Sequence, residues 1–401
     1  MRMREDVYYR DTVAEVDLDA IRHNVRQFRR HLPKSVRLMA VVKADAYGHG
    51  AVPVARAALS AGADSLAVAF LDEALELREA GVSAPILVMG YTPPRAVGEA
   101  IKNDVTLTVY SEEVVEALGR QAAREGKSVA IHVKVDTGMG RLGLLEGELS
   151  AFLRCLARHP HLRIGGVFTH FACADESDKE YTRFQHRRLL GFVDRLRAAG
   201  ADVPLIHCSN SAAAIDLPEY GHALVRLGIS MYGYYPSEEV NRQAVRLKPA
   251  LTLKTRIVRL KRPPAGTGIS YGKTVTVDGS RWIATIPIGY ADGLSRRLSN
   301  RGSALVRGRR VPIVGRVCMD QTMLDVTEAM PAAVGDEVVL YGRQGNEVIS
   351  VDEVARLLDT ISYEVTCAVG RRVPRVYLED GKRVGVINRL RGSGSALCEK
   401  S

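Results

Sequence analysis

"VRLMAVVKADAYGHGAVPVARAALSAGADSLAVAF", residues 36–70, carries the repeat from which the fold follows. A short apolar run ends on Lys43 and a polar loop, an alanine-rich stretch closes near Gly62, and a second apolar run begins at Ser65. Strand-length runs alternating with helix-length stretches imply parallel strands joined by crossover helices. Working outward, the same unit recurs as "PILVMG" (85–90), "VTLTVY" (105–110), "SVAIHVKVD" (128–136), "RIGGVFTHF" (163–171), "VPLIHCS" (203–209) and "ALVRLGISMYG" (223–233). Between the runs, "LDEALELREAG", "SEEVVEALGRQAAREG" and "YTRFQHRRLLGFVDRLRAAG" place Leu, Ala and Val three and four apart and stop on Gly. Eight such runs imply closure into a (β/α)8 barrel of the TIM type, placed at 12–245.

After about residue 245 the texture changes. "ALTLKTRIVRLKR", "SRWIATIPIGYADG", "SALVRGRRVPIVGRV" and "GDEVVLYG" read as strands separated by Gly, Pro, Asp and Asn turns, with one late helix near "SVDEVARLLD". The fold class is therefore α/β, a barrel followed by a mostly β C-terminal domain at 246–380, with 381–401 expected to be a flexible tail. A strand at about 12–18 could pack with either domain. It precedes a first helix whose expected N-cap is Asp19.

Composition narrows the function. Of 401 residues, 46% are apolar and 25% charged, which is globular and not disordered. The net charge of +10 is dispersed, and pieces such as "RQFRRH" read as solvated faces, so no nucleic-acid partner is expected. No stretch of about 18 apolar residues occurs, and the N-terminal segment lacks the apolar core of a signal peptide; the expected location is the cytoplasm, with no membrane partner. Six cysteines lie far apart without Cys-x-x-Cys and are expected as free thiols. His159 and His161 flank a proline without nearby thiolate or carboxylate partners in sequence, which favours a loop over a metal site.

Lys43 ends the first barrel strand on the face where barrel enzymes place their chemistry. A lysine partly desolvated there can supply a free amine to condense with an aldehyde, or can snorkel to water. "GMGRLG" (138–143) is formally G-x-G-x-x-G after a strand, but no helix follows at once and no acidic residue stands about twenty positions on, so a dinucleotide site is disfavoured.

The surroundings of Lys43 decide between these alternatives. "AVVKADAYGHG" resembles the signature of the alanine racemases, and the resemblance continues in the family's order through "HVKVDTGMGRLG" (132–143), "THFACAD" (169–175), "HCSNSAA" (207–213), "VRLGISMYG" (225–233), "GISYG" (268–272), "GYADG" (289–293), "VGRVCMDQ" (314–321) and "ISYEVTCAVGRRVPR" (361–375). It implies pyridoxal 5'-phosphate (PLP) held by Lys43 as a Schiff base, with Tyr47, Ser211, Tyr363 and the main-chain N–H groups of Gly228 and Ile229 on the phosphate. Arg141 would bond the phenolic oxygen and approach the substrate carboxylate, and Lys134 matches a lysine that is carbamylated in the family. Arg226 would face the ring nitrogen with His170 behind it, and a donor-only arginine there favours reprotonation at Cα over transamination.

The resemblance further implies a two-base reaction on L- and D-alanine through an external aldimine, with Lys43 on one face and Tyr271 on the other. Met319 and Asp320 would lie at the substrate carboxylate, and a homodimer would bring Tyr271 of one chain to Lys43 of the other. D-Alanine so made would supply peptidoglycan. A racemase of broader substrate range and a non-catalytic PLP-binding barrel protein are the alternatives. Lys134 and the β domain carrying Tyr271 and Met319 speak against them.

Overall fold

All eight apolar runs become parallel strands in the computed structural model, which describes residues 8–391. After a first strand β1 (Val13–Asp17) come β2 (Arg37–Val41), β3 (Ser65–Val68), β4 (Ile86–Val88), β5 (Thr106–Val109), β6 (Val129–Lys134), β7 (Leu162–Phe168), β8 (Ile206–His207) and β9 (Leu224–Leu227). Their order in the sheet is β8-β7-β6-β5-β4-β3-β2-β9. Two backbone hydrogen bonds stitch the remaining seam: Ala223 N–H donates to Ile206 O at 3.3 Å and Arg226 N–H to Ser209 O at 3.0 Å. Every residue of β3, β4 and β9 is buried, as expected of parallel strands covered on both faces. The intervening helices lie where the sequence spacing put them, among them Glu112–Glu125, closed by Gly126 at φ +61°. No helix among the described residues is long and apolar enough to cross a membrane.

The described residues divide into two compact units, residues 20–46 with 51–248, and residues 8–19 with 47–50 and 249–391. In the second unit, β1 lies antiparallel to β10 (Leu251–Arg256), pairing Val13 with Lys254, and parallel to Arg375–Glu379, pairing Ala14 with Arg375. Residues 47–50 are seated tightly in this unit. A Cβ on Gly48 would collide with Thr366 O, and Arg375 Nε donates to Gly48 O at 2.9 Å.

Three local expectations need correction. The first helix, Leu18–His31, is capped by Asp17, whose Oδ1 accepts the N–H of Asp19 at 2.9 Å; Asp19 lies in the first turn instead. The segment from 381, expected as a loose tail, begins with a strand, Lys382–Ile387, paired antiparallel to Arg375–Glu379. Asp380 (φ +49°) and Gly381 (φ +70°) make the two-residue turn that joins them, a strong hairpin signal. Residues 392–401 lie outside those described. Finally, the late helix Val351–Leu358, capped by Ser350, is followed by a second, Ser362–Cys367, which carries Tyr363.

The segment after Lys43 winds the wrong way. Ala44, Asp45, Ala46 and Tyr47 all sit at φ between +52° and +54°, one left-handed turn built without glycine. Each L-residue costs roughly 1–2 kcal/mol there. Glu73 braces the start, its Oε1 accepting Ala44 N–H at 2.6 Å, and Asp45 Oδ1 accepts Ala51 N–H at 2.9 Å.

Because Ala44 is exposed, replacing it removes strain without removing packing. Ala44→Gly is expected to raise stability by about 0.5–1 kcal/mol. The same change at buried Ala55, inside helix Ala51–Ser60, should lower it by at least about 1 kcal/mol. Urea unfolding of both variants checks the pair, and equal signs would refute the strain.

Candidate active site

β9 points Arg226 into the barrel, where it is 3% exposed and meets no carboxylate among the described residues. Its guanidinium is solvated by the protein instead. Nη2 donates to Thr169 O (2.9 Å), Cys208 O (3.1 Å) and His170 Nδ1 (3.2 Å), while Nη1 donates to His207 O (3.3 Å) and His207 Nδ1 (3.0 Å). Burial lowers its pKa to about 10, so the charge persists at neutral pH. Since arginine only donates, both imidazoles must accept through Nδ1 and carry their protons on Nε2. His207 Nε2–H then reaches His132 Nδ1 at 2.9 Å. Burial first, and Arg226 among the other causes, holds all three histidines neutral, His132 down to about 4.

Other cations gather around the same barrel end. Lys134 is buried on β6; its pKa falls to about 8, through burial and then through Arg141, Arg226 and Lys43, while Asp136 opposes the shift. Lys134 Nζ and the Arg226 guanidinium carbon stand 5.5 and 5.4 Å from the centroid of one ring, Phe168. Asp136 is committed elsewhere: its Oδ1 accepts the N–H groups of Gly138 (2.9 Å) and Gly140 (3.1 Å). Burial pushes this carboxyl up, but those donors outweigh it and hold the pKa below the usual range. The glycine-rich turn thus wraps its own aspartate, which explains why "GMGRLG" imitates a dinucleotide fingerprint. What remains is an excess of positive charge suited to a ligand with several anionic groups, as PLP with an amino-acid substrate would be.

Ser211 opens the helix Ser211–Asp216, where Asn210 is the cap. Its Oγ accepts Gly228 N–H at 3.0 Å and Ser230 N–H at 3.4 Å. The Gly228 N–H expected on a phosphate is therefore turned to this hydroxyl, and Ile229 follows it, buried, at the start of a 3-10 turn. In the other unit, Tyr47 and Tyr363 meet with ring centroids 5.9 Å apart. Burial and then Tyr363 push the Tyr47 phenol far above its ordinary pKa.

Tyr271 follows Ser270, a non-glycine residue at φ +64°, and precedes Gly272 at φ +72°. Gly315 packs against this turn: a Cβ there would come within 2.8 Å of Ser270 Cβ. The turn leaves Tyr271 71% exposed, and Met319 is 52% exposed. Asp320 is tied to Arg372 Nη2 at 2.8 Å, and Arg372 Nε reaches buried Asp292 at 3.1 Å, which also binds Arg10 at 2.7 Å. "GYADG" and "GRRVPR" thus brace the Met319–Asp320 loop, helped by Ala291 N–H on Met319 O at 3.1 Å.

His132 and His207 were not singled out from sequence. The signal was present: His132 and Lys134 alternate on β6, so both side chains face the same way. Their common partner, Arg226, lies about ninety positions on from Lys134 and could not be paired with them by spacing.

Comparison with known proteins places this arrangement. Residues 16–236 match the family described as alanine racemase, N-terminal domain, and residues 250–377 the one described as alanine racemase, C-terminal domain. A curated alanine racemase 2 of Caldanaerobacter subterraneus subsp. tengcongensis is 48% identical over 95% of this chain and 98% of its own. The crystal structure of the Bacillus anthracis alanine racemase with bound L-Ala-P superposes with a TM-score of 0.91 at 46% identity, covering 96% of this chain and 99% of that one. A histidine racemase from Leuconostoc mesenteroides subsp. sake also superposes, with a TM-score of 0.83 at 31% identity over 93% and 100%. Barrel, β domain and relatives define a PLP-dependent racemase, an isomerase. The chain belongs to the alanine racemase family.

The buried histidines make acid the vulnerable side. His132 titrates near 6.5 when unfolded but near 4 when folded. Between those values the unfolded chain binds protons that the folded chain refuses, so stability should fall as pH drops from 6.5 to about 4. His132→Gln, which cannot be protonated, should lose less over that window in urea titrations at stepped pH.

Proposed function

We propose that the protein interconverts L- and D-alanine by carrying a proton from one face of Cα to the other, with PLP held at Lys43. The observation that carries this reading is the cluster of Lys43, Lys134, Arg141 and Arg226 around neutral His170, cationic and without a carboxylate bonded to Arg226. Bound PLP supplies an electron-withdrawing system that makes the Cα proton of an attached amino acid removable. The rest belongs to this chain's residues.

Ser211, the Ile229 N–H, Tyr47 and Tyr363 would hold the phosphate, joined by the Gly228 N–H once the Ser211 hydroxyl, which accepts it at 3.0 Å, turns to the ligand. Arg141 would meet the phenolic oxygen and the substrate carboxylate, with the Met319 N–H and Asp320 on that carboxylate as well. Arg226 would face the ring nitrogen and, as a pure donor, keep it unprotonated. Lys134, its pKa lowered to about 8, has an accessible neutral amine that can add CO2 and release a proton. The resulting carbamate would give Arg141 an anionic partner.

Lys43 would serve one face of Cα and the partner's Tyr271 the other. The exposure of Tyr271 and Met319 in the single chain supports a homodimer that covers them. The D-alanine would supply peptidoglycan, made in the cytoplasm.

Racemisation of alanine should exceed that of serine, lysine and histidine at matched concentrations, and Lys43→Ala should lose essentially all of it. Equal rates across these amino acids would replace alanine specificity with a broader one. The two-chain site has its own test. Chains carrying Lys43→Ala, allowed to exchange with equal amounts of Tyr271→Phe chains, should form mixed dimers in roughly half of all pairs, so roughly a quarter of sites recover both residues. Mixed dimers without returning activity would place Tyr271 in its own chain's site.

A further inference from the structure

Away from the cationic cluster, the described residues contain two groups whose metal-ligating atoms converge within 4.8 Å: His186, Cys208 and His222, and Glu116, Cys155 and His159. The second corrects the sequence-based picture of His159, since the fold brings it a carboxylate and a thiol. That carboxylate is already engaged by Arg158, so a cation would have to displace a guanidinium.

The first group differs in kind. His186 projects from the helix Glu180–Ala198, Cys208 follows β8, and His222 follows the 3-10 turn Pro218–Gly221. The two Nε2 atoms are 2.7 Å apart. Tyr220 sets the orientation of His186, whose ring stacks on it with centroids 3.9 Å apart and planes 7° apart, while the His222 ring meets His186 edge to edge, centroids 5.0 Å apart and planes 20° apart. His222 is held at φ +43°, ψ −123°, a conformation rarely taken by a residue with a side chain. Cys208 Sγ lies buried beneath, 3.3 Å from Tyr220 O, while both imidazoles are partly exposed.

We propose that His186, Cys208 and His222 form a site for a thiophilic divalent cation, Zn2+, with a water as fourth ligand. Two nitrogens and one sulfur suit a borderline-soft ion, and an opening to solvent on the imidazole side admits both ion and water. With zinc–nitrogen bonds of about 2.0–2.1 Å, tetrahedral ligand nitrogens stand roughly 3.4 Å apart, so the two nitrogens need to part by less than about 1 Å and each ring, now meeting the other nearly in line, needs to tilt by roughly 35° to aim its lone pair at the ion. The bond-making balances simply. The imidazole that donates in the His–His hydrogen bond moves its proton from Nε2 to Nδ1, the thiol releases one proton to solvent, and three ligand–zinc bonds form. The Cys208 carbonyl accepts from Arg226, which puts the bound ion one residue from the buried guanidinium.

The test uses untagged holoenzyme, stripped with chelator and dialysed against Zn2+ or Co2+ without amino acid. Wild type should retain one zinc per chain, and its cobalt form should show a thiolate-to-metal charge-transfer band. His186→Gln and His222→Asn, the latter chosen because Asn tolerates positive φ, should bind at least about tenfold more weakly. Circular dichroism checks that both are folded. Glu116→Gln should bind as wild type. Absence of zinc uptake at micromolar Zn2+, a cobalt form without the thiolate band, or loss of binding in Glu116→Gln with retention in His186→Gln would each overturn the site.

Discussion

A guanidinium closed off from water and given no carboxylate has to be solvated by something. In this barrel three carbonyl groups, from Thr169, His207 and Cys208, and two imidazole nitrogens do so around Arg226. Much else is a consequence. The ends of β7 and β8 must turn their carbonyls toward one point, the tautomers of His170, His207 and His132 are dictated in sequence, and the Phe168 ring stacks on His207 with the Lys134 and Arg226 cations close to it. A carboxylate would have satisfied the arginine more simply. It would also have neutralised the charge that the barrel end presents.

The same economy governs the rest of the cationic cluster. Lys134, Arg141 and Arg226 raise one another's cost, and Asp136, which could relieve them, is saturated by the N–H groups of its own glycine turn. Mutual repulsion of this kind lowers the stability of the unliganded fold and is relieved when an anionic ligand binds, and a ligand that binds only the folded form stabilises it by mass action.

The barrel was legible because its strands are largely buried and mostly apolar, interrupted by single polar residues such as His132, Lys134 and Arg226, and the long helices declare themselves by three- and four-residue spacing. "RVYLEDGKRVGVI" was equally legible, with Asp-Gly between two strand-length runs, but it straddles the boundary at 380 drawn between the β domain and the tail. Spacing could not reveal partners brought together by closure, such as His132 with His207 or Glu116 with His159. It could not reveal the turn at 44–47 either. Ala and Tyr have no local preference for positive φ, and the contacts that hold the turn, Glu73 on Ala44 N–H and Asp45 on Ala51 N–H, are not announced by the sequence around it.

That turn has one further property. The ordinary right-handed turn of L-residues has as its mirror image a left-handed turn of D-residues, so the left-handed backbone at positions 44 and 46 is the one a D-residue prefers. Built by chemical ligation with D-alanine at those two positions, the chain would keep both methyl groups and occupy a relaxed minimum where the ribosomal product is strained. A member of the alanine racemase family thus holds, next to Lys43, two alanines whose backbone favours the other enantiomer.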